Sequence, residues 1–122
     1  MLDGIFVTVT GFKHYNDRAP FPIGEILLCC KEPNNPYDTE AIMVLSYGGY
    51  KVGYIANGAG TKANGTMSAA RLYDRVGDNF LIEVCFSTNT KIICQVLAFD
   101  VTDPGVLERY FDINDDIDDE DD

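Results

Sequence analysis

Residues 32–38 read EPNNPYD, which is more than a connector requires. Two prolines and two asparagines already make a turn, yet an aromatic ring, Tyr37, and a carboxylate, Asp38, stand directly behind them. A ring offers a stacking surface; a carboxylate accepts hydrogen bonds and repels anions. A purely structural reading stands beside this one: Asp38 accepts from nearby backbone N–H groups in an Asx-type turn, and Tyr37 plugs one end of the fold. Lys13 and His14 form a second candidate pair, a cation next to a planar ring, against which stands an ordinary solvated strand end. Tyr50, Val52 and Tyr54 share parity on one predicted strand and therefore one face, as core or as the floor of a groove.

Other chemistries find no support. The four cysteines, Cys29, Cys30, Cys85 and Cys94, include no C-x-x-C pair, and His14, the only histidine, has no partner at metal-ligand spacing. All four lie in apolar runs, where a free thiol packs as a small hydrophobe. Cys85 and Cys94 are spaced to face each other across a hairpin, but a reducing compartment argues against a disulfide. Residues 57–66, NGAGTKANGT, surround Lys62 with glycines but lack the G-x-x-x-x-G-K-[ST] pattern, so the expectation is a flexible rim loop. No carboxylate pair comes with a nucleophile, a metal cluster or a base. The expectation is a protein without catalysis, metal or cofactor.

The formal charge of −11 is unevenly spread. Residues 112–122, DINDDIDDEDD, hold eight acids and no base, leaving 12 acids against all nine Lys and Arg, a net −3, in residues 1–111. The division expected is a domain over 1–111 and a disordered acidic tail over 112–122. Asp112, Asn114, Asp116 and Asp118 alternate like the first ligands of a calcium loop, but Ile117 stands where the sharp turn needs glycine. No apolar run approaches the ~20 residues of a membrane span. Met1-Leu2-Asp3-Gly4 lacks the basic start of a signal peptide, so the expected location is the cytoplasm.

These residues are positioned by a predicted succession of strands. Ile5–Phe12, Glu25–Lys31, Ala41–Tyr47 and Tyr50–Ile55 read as the first four, the last two joined by a Gly48-Gly49 hairpin loop. The second is apolar throughout, as a strand buried on both faces would be. Ala69, Leu72, Tyr73 and Val76 fall on one face of a helix ended by Gly77. Asn79–Ser87 alternates with Phe80, Ile82, Val84 and Phe86 on one side, and Lys91–Phe99 is the sixth strand. Asp103-Pro104 starts a short closing helix through Phe111. Six strands in hairpin-like order with one helix after the fourth predict a mainly-β barrel, either of the open oligonucleotide-binding (OB) type or SH3-like.

The stretch Gly24–Ile55, GEILLCCKEPNNPYDTEAIMVLSYGGYKVGYI, resembles the core of the HIRAN domain family. Three blocks appear in the family's order: Glu32–Asp38, Ala41-Ile42-Met43-Val44 and Val52-Gly53-Tyr54, with Gly11–Tyr15 fitting the block upstream. The resemblance implies a modified OB barrel that takes the 3′ end of single-stranded DNA, in proteins of DNA repair and replication-fork remodelling. Carried over by position, the contacts are Tyr37 and Asp38, identical in type; Lys13 and His14, altered in identity; and Tyr54, where the family has histidine. A basic family position falls at Asn57, with Lys62 as the nearest substitute, and a late aromatic one falls near Thr90 or Lys91.

The resemblance thus implies a non-enzymatic module that stacks a terminal base on Tyr37 and offers Asp38 to a free 3′-hydroxyl, with Lys13, His14, Tyr54 and Lys62 in support. The acidic balance favours the alternative, a protein-interaction adaptor on the same fold without DNA affinity. An acidic DNA mimic ranks below both. The tail is expected to compete with DNA for the groove or to dock on a basic protein partner. No membrane and no small-molecule substrate is implied.

Overall fold

The computed structural model describes residues 4–15, 20–58 and 60–111, with His14 by its backbone alone. The acidic tail, its calcium-like pattern and the His14 side chain lie outside the described residues. Six strands form: β1 (Phe6–Thr10), β2 (Ile26–Lys31), β3 (Ile42–Ser46), β4 (Tyr50–Ile55), β5 (Asn79–Ser87) and β6 (Ile92–Ala98). Two helices, α1 (Ala69–Tyr73) and α2 (Pro104–Phe111), follow β4 and β6. All neighbouring strands run antiparallel in the order β1-β4-β3-β2-β5-β6, and β6 returns to β1. The expected mainly-β barrel is therefore present, and it is closed rather than open.

Alternation along the strands builds the interior. Val7 and Val9 of β1, Leu27 and Cys29 of β2, Ile42 and Val44 of β3, and Phe80, Ile82 and Val84 of β5 all turn inward. β2 is buried on both faces, because its other residues, Leu28 and Cys30, lie with Leu45 under Tyr110 of α2. The Tyr110 hydroxyl donates to the Ile26 carbonyl at 3.0 Å, tying α2 to the start of β2. α1 adds Ala69 and Leu72 to the interior, and Ser68 caps it by accepting from the Arg71 N–H. The helix ends at Tyr73, so Val76 joins the core from the turn beyond it.

Four further details differ from the pattern reading. β1 stops at Thr10 because Gly11 adopts a φ of +76°, and Phe12 then folds through a 3-10 turn to pack edge-on against Phe21. The β3–β4 loop spans Tyr47 to Gly49, since Tyr47 leaves the strand to meet the Tyr110 ring at 5.9 Å, while Gly48 and Gly49 supply the positive φ angles. The segment after β4 is fastened to β1: the Thr8 and Thr66 hydroxyls lie 2.8 Å apart, Ala63 N–H donates to Thr8 Oγ1, and Met67 N–H donates to the Phe6 carbonyl. Finally, a bulge between Val84 and Phe86 places Val84, not Cys85, opposite Cys94. All four thiols are free; Cys29, Cys30 and Cys94 are buried and Cys85 half-buried. No helix among the described residues is long and apolar enough to cross a membrane.

Candidate functional site

A groove of about 910 Å³ opens between the 32–38 turn and the outer face of β4, walled by Tyr15, Glu32, Tyr37, Asp38, Lys51 and Tyr54 among others. The turn is held by Asn35. Its Oδ1 accepts from the N–H groups of Tyr37 (2.8 Å) and Asp38 (3.1 Å), while its Nδ2 donates to Glu32 Oε1 at 3.0 Å. Asp38 Oδ1 accepts from the Glu40 N–H at 2.9 Å, the expected Asx-type turn. Its Oδ2 takes the Asn57 amide at 3.3 Å. The structural reading of Asp38 is thus realised. That of Tyr37 is not: its ring is 95% exposed and plugs nothing.

β4 supplies the opposite wall through an irregularity. Val44 pairs with Gly53 but Leu45 pairs with Lys51, so β4 carries one extra residue at this point. In a regular strand Lys51 and Tyr54, three apart, would point to opposite faces. The bulge turns both outward, while Val52 is wholly buried in the barrel. The shared face expected for Tyr50, Val52 and Tyr54 therefore breaks up: Val52 is core, Tyr54 lines the groove and Tyr50 is exposed beside the hairpin loop. Gly53 allows β1 to approach. A Cβ there would stand 2.8 Å from Val9 Cγ1 and 2.9 Å from the Thr10 carbonyl oxygen.

At the foot of the groove, Glu32, Lys51 and Tyr54 form a triangle. The Tyr54 hydroxyl donates to Glu32 Oε1 at 2.8 Å, Lys51 Nζ donates to the Tyr54 hydroxyl at 3.0 Å, and Lys51 Nζ lies 3.4 Å from Glu32 Oε2. Burial alone would raise the Glu32 carboxyl, but the hydrogen bonds from Asn35 and Tyr54 and the Lys51 charge outweigh it and hold the group below its usual 4.5. The bond to Tyr54, reinforced by Glu32, holds the Lys51 ammonium above its usual 10.5.

The remaining candidates lie apart. Lys13 lines a separate depression of about 250 Å³ with Thr10, Gly11, Phe12 and Thr90. Lys62 donates to the Thr66 carbonyl at 3.0 Å within its own loop and is not among the residues that wall the groove. Asn57, at the family's basic position, bridges Asp38 to the start of α1 by accepting from the Ala70 N–H at 2.9 Å. Lys91 reaches the Thr61 carbonyl at 3.5 Å. Pattern reading assigned no role to Glu32, Lys51 or Tyr15. The one available signal for Lys51 was a glycine inside a strand, Gly53, which often marks a bulge.

Among the described residues no group of three or more His, Cys, Asp or Glu side chains is arranged to hold a metal ion. Comparison with curated proteins and with solved structures gave no significant match. The HIRAN domain, a single-stranded-DNA-binding module at the level of the family, matches residues 3–91, which span β1 to β5 and every groove residue named above. The chain belongs to the HIRAN domain family.

Proposed function

We propose that this chain is a non-enzymatic module that binds single-stranded DNA by a free 3′ end, in the setting of DNA repair or replication. Tyr37 stacks the terminal base, Asp38 accepts from the 3′-hydroxyl, and Tyr54 lines the floor beneath them. Lys13 and Lys62 act from outside the groove, on the approaching strand, and His14 adds a supporting contact. The observation that carries this reading is the placement of Tyr37. A large ring left 95% in water on the wall of a groove, directly beside a carboxylate, has no packing role and every feature of a stacking platform. A carboxylate in that position repels a terminal phosphate and welcomes a hydroxyl donor.

The test is fluorescence anisotropy with short single strands ending in a 3′-hydroxyl or a 3′-phosphate, using the full chain and a version ending at Phe111. The hydroxyl end is expected to bind more tightly, and removal of the acidic segment to strengthen both. Absence of binding by the shortened protein at low salt sinks the proposal.

A second reading, an adaptor for a protein partner, is favoured by one observation. Glu32 and Asp38 both wall the groove, whereas the Lys31 and Lys62 ammonium groups are spent on the carbonyls of Val76 and Thr66. On that reading the partner is basic and the acidic tail adds to its attraction.

A further inference from the structure

Among the described residues, the bulge in β4 leaves one cation on the groove wall whose hydrogen bonds go to other groove side chains. Among the described residues walling the groove, the lysines are Lys31 and Lys51. Lys31 is committed to the end of the barrel: its Nζ donates to the Val76 carbonyl at 2.8 Å and lies 4.4 Å above the Tyr73 ring. Lys51 is held by the Tyr54 hydroxyl at 3.0 Å and by Glu32 at 3.4 Å, the longest contact of the cluster. Its side chain is 35% exposed. Glu32 keeps two other donors, Tyr54 and Asn35, at 2.8 and 3.0 Å on Oε1. A partly exposed Lys–carboxylate pair contributes only about 0–1 kcal/mol, so exchanging that partner for another anion costs little.

We infer that Lys51 is the phosphate contact of this groove, parked on Glu32 and Tyr54 until the backbone of a bound strand displaces the carboxylate. The inference rests on the single-stranded-DNA reading above. Glu32 then acts as a brake. It pairs with Lys51 in the free protein and competes with every phosphate that approaches. The flexible stem and three donors of a lysine suit such a transfer, since the ammonium keeps the Tyr54 hydroxyl while changing its anionic partner. The contact is blind to base identity, as phosphate contacts are, and adds affinity rather than sequence preference.

The experiment measures anisotropy of a short oligothymidylate with a 3′-hydroxyl against salt, on the full chain and its Lys51→Gln, Lys51→Arg and Glu32→Gln variants. Loss of one phosphate contact flattens the slope of log K against log salt by about 0.7 for a single strand, equal to about an eightfold loss at about 50 mM relative to 1 M. Lys51→Gln is expected to show this change, and Lys51→Arg, which keeps the charge, to retain the original slope. Glu32→Gln is expected to bind several-fold more tightly with the slope preserved. A methylphosphonate scanned along the strand should abolish the difference between the parent chain and Lys51→Gln at one position. An unchanged slope in Lys51→Gln, with the parent chain binding normally, overturns this inference alone. A parent chain that ignores the 3′-hydroxyl strand at low salt overturns the DNA reading and this one with it.

Discussion

The exposed ring at the rim of the groove makes a sharp prediction for Tyr37→Ala. The structure allows its two consequences to be worked separately. On the folding side, the ring is 95% exposed, so truncation uncovers almost no buried surface. The turn beneath it is fixed by Asn35 Oδ1, by the Asp38–Glu40 bond and by the Ala41 N–H donating to the Asp38 carbonyl, none of which uses the ring. The stability change is therefore expected within about 0.5 kcal/mol, as for other surface substitutions. For a domain of this size that is a melting shift of at most about 4 °C.

On the binding side, one base–aromatic stack is worth about 1–3 kcal/mol, so the Kd for a 3′-hydroxyl strand should rise about 5- to 150-fold. Tyr37→Phe, which keeps the π-face and loses only the hydroxyl, should bind nearly as the parent chain does. The assay pairs anisotropy with a thermal melt on the same preparations. If Tyr37→Ala melts markedly lower, the ring belongs to the fold and the argument from exposure fails. If Tyr37→Ala binds as the parent chain does, the ring is no platform, whatever the groove holds.

Three further outcomes follow from the geometry. Asp38→Asn keeps an oxygen for the Glu40 N–H but removes the charge. Because a like-charge pair at about 4 Å near a protein surface costs on the order of 4 kcal/mol, the preference for 3′-hydroxyl over 3′-phosphate strands should fall by about tenfold or more; an unchanged ratio would remove Asp38 from the reading. Gly53→Ala drives a Cβ to 2.8 Å from Val9 and 2.9 Å from the Thr10 carbonyl, an overpacking expected to destabilise by about 1–3 kcal/mol in urea unfolding. Parent-like unfolding would mean that β1 is not held so closely. Burial, then the Glu32 charge, pushes the Cys30 thiol up to about 12, and burial also raises Cys29 and Cys94. A folded-state pKa above the ordinary 9.0 favours the protonated thiol in the native state. That stabilisation is complete below about pH 9 and lost as pH climbs toward 12. Melting temperature should thus decline through this window, and less steeply in Cys30→Ala; equal slopes would refute the burial argument.

Much of the barrel was legible because strand patterning is local. Phe80, Ile82 and Val84 announced β5, and the unbroken apolar run of β2 announced a strand covered on both sides, which α2 and the barrel interior provide. What the pattern missed depends on register between strands. Parity placed Tyr54 with Val52, and only the pairing of β4 with β3 reveals the extra residue that sends Val52 inward and Lys51 outward with Tyr54. The same limit hid the offset of Cys85 from Cys94, where β5 bulges against β6. The loop after β4 looked free because its glycines and asparagines are ordinary loop residues. Its anchor is a hydroxyl pair between Thr8 and Thr66, 58 positions apart, which no local window contains. In the 32–38 turn the residue types were plain, but the exposure of Tyr37 depends on where the barrel's end lies relative to it.

The charge around Asp38 explains why the two functional readings are hard to separate by composition and easy to separate by salt. Where the family places a cation, Asn57 gives Asp38 a neutral amide at 3.3 Å. That amide leaves no cation at the position to draw phosphate in. Among the described residues, the groove lysine held by side chains is Lys51 on β4, paired with Glu32 at 3.4 Å. A DNA-binding surface built this way gains little from counterion release and must rely on a stacked base and a hydroxyl-to-carboxylate bond. Its affinity for a 3′-hydroxyl strand should therefore fall only gently with salt, while its preference for the hydroxyl end persists. An adaptor for a basic partner would behave in the opposite way, because its attraction is the anionic surface itself and is screened over a Debye length of about 8 Å at physiological salt.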